Sequence, residues 1–142
     1  MLFAKRERLI RRLLIVEDEP LVAFDNEHLL KDAGYEVVAT VDSLEAARGV
    51  IESAALDLVL TDMLLAGDGD GTGVARLAAA RAVPVLFVTA HQVDDGASLA
   101  VGVLAKPYSE KVLKGALEAV DRHLQGETPK KLPRQLTLFE AA

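Results

Sequence analysis

Short apolar runs alternate along the chain with longer stretches whose apolar residues recur every three or four positions. The runs LLIVE (13–17), YEVVAT (35–40), DLVLT (57–61), PVLFVT (84–89) and GVLA (102–105) have strand length and a β-rich composition. Between them, LVAFDNEHLLKDAG (21–34) places Val22, Leu29, Leu30 and Ala33 on one helical face, with Gly34 as a C-cap. SLEAARGVIES (43–53) opens on an N-cap Ser43 and aligns Leu44, Ala47 and Ile51. GVARLAAARA (73–82) reads as an Ala-rich helix. SEKVLKGALEAVDRHLQG (109–126) is the clearest helix: Ser109 caps it, Glu110 sits in its first turn and Gly126 ends it. Its stripe is Val112, Leu113, Ala116, Leu117, Val120 and Leu124. HQVDDGASLAVG (91–102), with two Asp and two Gly, predicts only a short or irregular helix.

Five strands alternating with helices imply βαβ units. Strands that are apolar almost throughout imply a parallel sheet covered on both faces. The expected fold is therefore α/β, with a five-stranded, doubly wound parallel sheet in the flavodoxin-like order 2-1-3-4-5.

Composition narrows the setting. The chain of 142 residues is 51% hydrophobic, enough for one packed domain and too much for disorder. No apolar stretch is long enough to span a membrane. The apolar run near the N-terminus meets Glu17 too early for a signal peptide, and Cys is absent, so a cytoplasmic protein is expected. A net charge of −6 argues against general nucleic-acid binding. Residues 1–11 read as a basic arm, with Lys5, Arg6, Arg8 and Arg11 against Glu7. Residues 12–126 read as the domain. Residues 127–142, broken by Pro129 and Pro133, read as a tail.

The chemistry gathers at the C-terminal ends of the strands, where open parallel sheets bind ligands. The first strand ends in Glu17 and Asp18, the third at Asp62, the fourth at Thr89, and the fifth runs into Lys106. In the expected order, strands one and three are neighbours, so Glu17, Asp18 and Asp62 converge. Two unit charges about 4 Å apart repel by roughly 4 kcal/mol at an effective dielectric of 20. Three such carboxylates call for a cation. An all-oxygen set without Cys or His favours Mg²⁺ over Zn²⁺. Lys106 and Thr89 are suited to hold phosphoryl oxygens, and a carboxylate can accept a phosphoryl group. The loop after Asp62, LLAGDGDGTG, resembles the start of a calcium loop at Asp68. Its twelfth position is Ala79, however, where a bidentate Glu is needed, so Asp68 and Asp70 read as a solvated acidic turn. Asp57 reads as the solvated start of the third strand.

LLIVEDEP, DLVLTDMLLAGDGDG, VLFVTAH and LAKPYS occur in the order and spacing of a known family. The chain resembles the receiver domain of bacterial two-component response regulators over about residues 12–126. That resemblance implies that Asp62 accepts phosphate from a sensor histidine kinase or a phosphotransferase. It implies that Glu17, Asp18 and Asp62 hold Mg²⁺ with the backbone carbonyl of Leu64. It implies that Thr89 and Lys106 contact the phosphoryl oxygens, and that Pro107 follows a cis peptide bond. His91, two residues past Thr89, falls where the family tunes phosphoryl hydrolysis. Tyr108 is a further candidate modulator, which could pack or gate.

Three departures from the family pattern stand out. Val103 occupies the place of the aromatic that usually swings with the Thr. The segment from Thr89 to Lys106 is short, which puts the family's output surface in question. Ala66 replaces a common proline. With no DNA-binding module expected in the remaining residues, the reading is a single-domain regulator that signals through an unidentified partner protein or shuttles phosphate. A phosphatase-like enzyme with Asp62 as nucleophile is one alternative, although Leu64 stands where such enzymes carry a second Asp. A degenerate scaffold is the other, although the complete rim opposes it. The tail segment QLTLF (Gln135–Phe139) resembles a sliding-clamp docking peptide. Its Leu136, Leu138 and Phe139 could instead pack on this domain or on a dimer mate.

Overall fold

The computed structural model describes residues 7–65, 70–90, 99–129 and 131–139. The elements run β1 (Arg12–Val16), α1 (Pro20–Asp32), β2 (Glu36–Val41), α2 (Leu44–Ser53), β3 (Leu58–Asp62), α3 (Gly71–Ala80), β4 (Val85–Thr89), β5 (Gly102–Ala105), α4 (Glu110–Leu124) and β6 (Leu136–Leu138). One sheet in the order β2-β1-β3-β4-β5-β6 carries them all. The expected order 2-1-3-4-5 is present and parallel. Among the described residues the sheet has six strands rather than five, because β6 pairs antiparallel with β5.

The strands read as continuously apolar because they serve two cores. Leu13, Ile15, Leu58, Leu60, Leu86 and Val88 point to one face, where Leu29 and Leu30 of α1 and Leu113 and Leu117 of α4 meet them. Leu14, Val16, Val59, Val85 and Phe87 point to the other, against Ala47 and Ile51 of α2 and Val74 and Ala78 of α3. Alternate residues of a strand face opposite sides, so each half of the run fills its own layer.

Caps set several helix starts. Ser43 accepts from the Ala46 N–H and Ser109 from the Val112 N–H, both at the expected positions. Asp70, read above as part of a solvated turn, is the N-cap of α3 and accepts from the Thr72 and Gly73 N–H groups. Asp57 is likewise not simply solvated. Its Oδ2 accepts from the backbone N–H groups of Arg11 and Arg12, tying the approach of β3 to that of β1. Asp68, Ala66 and residues 91–98, including His91, lie outside the described residues, and so does most of the stretch expected to hold an irregular helix.

Two segments read as arm and tail join the packed unit. Ile10 is fully buried, and its N–H donates to the buried Asp121 carboxylate at 2.9 Å. The Arg8 guanidinium lies 4.3 Å from the centre of the Tyr35 ring and donates to the Ala33 carbonyl. At the other end, β6 pairs Leu136 with Leu104, Thr137 with Val103 and Leu138 with Gly102. A Cβ on Gly102 would come within 2.3 Å of the Thr137 carbonyl oxygen, so only glycine admits this approach. Leu136 is buried in the α1/α4 core, and the Phe139 carbonyl accepts from His123 Nε2 at 3.1 Å. β6 thereby covers the β5 edge, which would otherwise offer unpaired backbone groups.

Leu136→Ala should lower unfolding stability by about 2–5 kcal/mol, as for other buried Leu truncations. Urea denaturation reads this directly. A midpoint equal to that of the unaltered chain would show that β6 contributes nothing to the folded state.

Candidate functional site

Parallel pairing brings the strand ends into line. Val16 is level with Thr61, Asp62 with Val88 and Thr89 with Ala105. The residue at or just past each end therefore reaches the same rim. Glu17 is held there by its N–H on the Val41 carbonyl, and Lys106 by its N–H on the Thr89 carbonyl, both at 2.9 Å.

At the rim, Lys106 Nζ donates to Glu17 Oε1 at 3.0 Å and to Asp62 Oδ2 at 2.9 Å. Glu17 and Asp62 are buried, with 4% and 8% of their surfaces exposed. Glu17 Oε2 also accepts from the Glu19 N–H at 3.1 Å, and Asp62 Oδ1 from the Leu64 N–H at 3.3 Å. Asp18 completes the group: one carboxylate oxygen from each of Glu17, Asp18 and Asp62 lies within 4.8 Å of the others. Burial raises the Glu17 pKa, and the Lys106 hydrogen bond only partly opposes this. Burial works to lower the Lys106 pKa, but its bonds to Asp62 and Glu17 outweigh that and raise it. The ammonium stays charged.

The loop after Asp62 is shaped by close packing. A Cβ on Gly71 would lie 2.3 Å from the Asp62 carbonyl oxygen and 2.8 Å from Met63 Cα. The start of α3 is thereby packed against the backbone that carries Asp62, and Gly71 N–H donates to the Met63 carbonyl at 2.9 Å. Leu64 is more than half exposed, beside the rim.

Thr89 is buried at the end of β4. Val103 is half-buried on β5, packed against the α2/α3 core between Phe87 of β4 and Thr137 of β6. The Lys106–Pro107 bond is cis. Tyr108 folds back over α1, where its hydroxyl accepts from Asn26 Nδ2 at 2.9 Å. Asn26 was not singled out in the sequence. The signal was there: it is a polar residue at i+3 from Ala23 and i−3 from Leu29, inside the buried stripe of α1.

Three clustered carboxylates, two of them buried, with one lysine spanning those two, suit a hard divalent cation and an incoming oxyanion. Such a rim on a 2-1-3-4-5 sheet defines a receiver-type α/β domain. The response regulator receiver domain model matches residues 13–118, and the chain belongs to that family. The sensory transduction protein RegX3 of Mycobacterium tuberculosis is 37% identical over 116 residues, covering 78% of this chain and 50% of that protein. The phyllosphere-induced regulator PhyR of Methylorubrum extorquens is 38% identical over 81 residues, covering 56% of this chain and 30% of that one. A crystal structure of a response regulator receiver protein from Sinorhizobium medicae aligns with a TM-score of 0.68 at 30% identity, covering 78% of this chain and 94% of that one. The chain spans about half the length of the first curated relatives it matches. Among the described residues, no helix is long and apolar enough to cross a membrane.

Asp18→Ala should weaken Mg²⁺ binding by about tenfold or more, or ~1.4 kcal/mol, and raise the stability of the metal-free protein by relieving repulsion. Calorimetric titration and melting with and without Mg²⁺ measure both. Unchanged affinity would show that the three carboxylates do not act as one site.

Proposed function

We propose that the chain is a response regulator that takes a phosphoryl group on Asp62 from a sensor histidine kinase or a phosphotransferase. The observation that carries this reading is the Lys106 ammonium bound jointly to the buried Asp62 and Glu17 carboxylates. An Asp62 oxygen attacks phosphorus, the bond from phosphorus to the donor's nitrogen or oxygen breaks, and an acyl phosphate forms. Glu17, Asp18 and Asp62, with the Leu64 carbonyl, are the residues that would hold Mg²⁺. The bound ion would offset the charge of the carboxylates and the phosphoryl oxygens. Lys106 then exchanges an Asp62 oxygen for a phosphoryl oxygen, and the Thr89 hydroxyl binds another. His91 is proposed to tune hydrolysis of the acyl phosphate.

The phosphodonor is proposed to dock beside the rim. A groove of about 350 Å³ bordered by Val22, Asn26, Pro107 and Tyr108 opens beside Lys106, and Leu21 and Phe24 are exposed elsewhere on α1. Output is proposed to run through contacts with a partner protein, or through onward transfer of the phosphoryl group, in the cytoplasm and without direct DNA binding. The burial of Leu136 supports self-packing of Gln135–Phe139. Docking of that segment on a sliding clamp, or its exchange with a dimer mate, requires β6 to leave its own sheet. Leu64 lies where an Asp-nucleophile phosphatase would need a second acid, which disfavours that enzyme. The paired, buried Asp62 disfavours a scaffold without chemistry.

Acetyl phosphate with Mg²⁺ should label the unaltered chain once, and Asp62→Asn should lose the base-labile label. Equal labelling of Asp62→Asn would contradict the assignment. Repeated turnover of phosphomonoesters would indicate the enzyme instead, and no reaction would indicate the scaffold.

A further inference from the structure

The groove beside the rim has a polar floor that the phosphoryl chemistry does not use. Asn26 is 7% exposed on a helix stripe otherwise filled by Ala23, Leu29 and Leu30. A buried amide there carries a desolvation cost that an apolar residue would avoid, so its hydrogen bond needs a reason. Its partner is the Tyr108 hydroxyl, two residues beyond Lys106. Asn26 also lines a small cavity together with Glu17 and Asp62. It therefore stands near the two carboxylates that Lys106 bridges.

The chain connections make this bond part of a ring. α1 begins three residues after Glu17 and carries Asn26. Asn26 binds Tyr108, and Tyr108 leads back through Pro107 to Lys106, whose ammonium returns to Glu17. On its other side, Lys106 is set by β5. Its N–H is on Thr89, and the Ala105 N–H is on the Gln135 carbonyl. The β5 end is thus fixed by strand pairing, and the loop after it is tied to α1 by the Asn26–Tyr108 bond.

We propose that Asn26 and Tyr108 are a positioning pair that holds the Lys106 loop against α1, so that the ammonium is kept at the rim, within reach of the phosphoryl oxygen it takes up from Asp62. The proposal rests on the phosphoacceptor reading of Asp62. Tyr108→Phe keeps the ring and removes only the hydroxyl. Asn26→Leu/Tyr108→Phe replaces both polar partners by apolar groups, which for a buried hydrogen bond can be nearly neutral in stability. A pair that merely glues the loop would recover rate along with stability in the double variant. A positioning pair recovers stability only.

The test measures phosphorylation of the full chain by acetyl phosphate at saturating Mg²⁺, together with Mg²⁺ affinity and melting temperature. Tyr108→Phe should slow phosphorylation roughly 3- to 10-fold with Mg²⁺ affinity unchanged. The double variant should melt like the unaltered chain and remain slow. Normal rates in Tyr108→Phe overturn the proposal. So does a double variant whose rate recovers. If the double variant fails to fold, Tyr108→Phe decides alone. A slow rate with normal Mg²⁺ affinity supports positioning, and a slow rate with weakened Mg²⁺ affinity overturns it. Failure of the unaltered chain to label at all overturns the phosphoacceptor reading and this proposal together.

Discussion

The site depends on one ammonium standing between two buried carboxylates. Glu17 and Asp62 are taken out of water at the end of adjacent strands, with Asp18 close by. Without a counter-charge, each would penalise the ionisation of the others. Lys106 reaches both from β5, which lies two strands away from β3. The pairing is what allows an acidic rim to exist in the metal-free fold. In the proposed phosphoacceptor reading, it also keeps a cation where a phosphoryl oxygen would arrive.

This arrangement makes demands on the rest of the sheet. Lys106 can span the rim only if β5 is held in register with β4, and β5 is a four-residue strand. Its free edge is closed by β6, whose Leu136 enters the same core as α1 and α4. The antiparallel addition thus secures the strand that carries the lysine, and Gly102 is the residue that makes room for it. On the opposite side of the rim, Gly71 lets α3 start directly against the Asp62 backbone. The glycines at these two places are set by close backbone approach.

Much of this was legible in the sequence. The two-faced strands announced a covered parallel sheet, because both alternations of each run are apolar. The rim residues followed from the position of each charge at a strand end. What was not legible involved partners far apart in the chain. β6 looked like a tail because three residues after Pro129 and Pro133 carry too little periodicity, and its fit is set by Gly102 some thirty positions earlier. Asp57 looked like a solvent-facing acid, whereas it accepts from the Arg11 and Arg12 N–H groups some forty-five positions earlier; Asp70 is a local N-cap whose signal was masked by the glycine-rich acidic turn around it. Asn26 was hidden by its average residue type, although its place on the buried stripe of α1 was a usable signal.

The central claim is that the Lys106 ammonium is the counter-charge of the buried Glu17 and Asp62 carboxylates in the metal-free fold. The most direct measurement is the Mg²⁺ affinity of Lys106→Met, compared with the unaltered chain by calorimetric titration. Removing the ammonium frees Glu17 Oε1 and Asp62 Oδ2, so the account predicts tighter Mg²⁺ binding in the variant and a larger rise in melting temperature on adding Mg²⁺. Equal or weaker binding, in a variant that still folds, would contradict it.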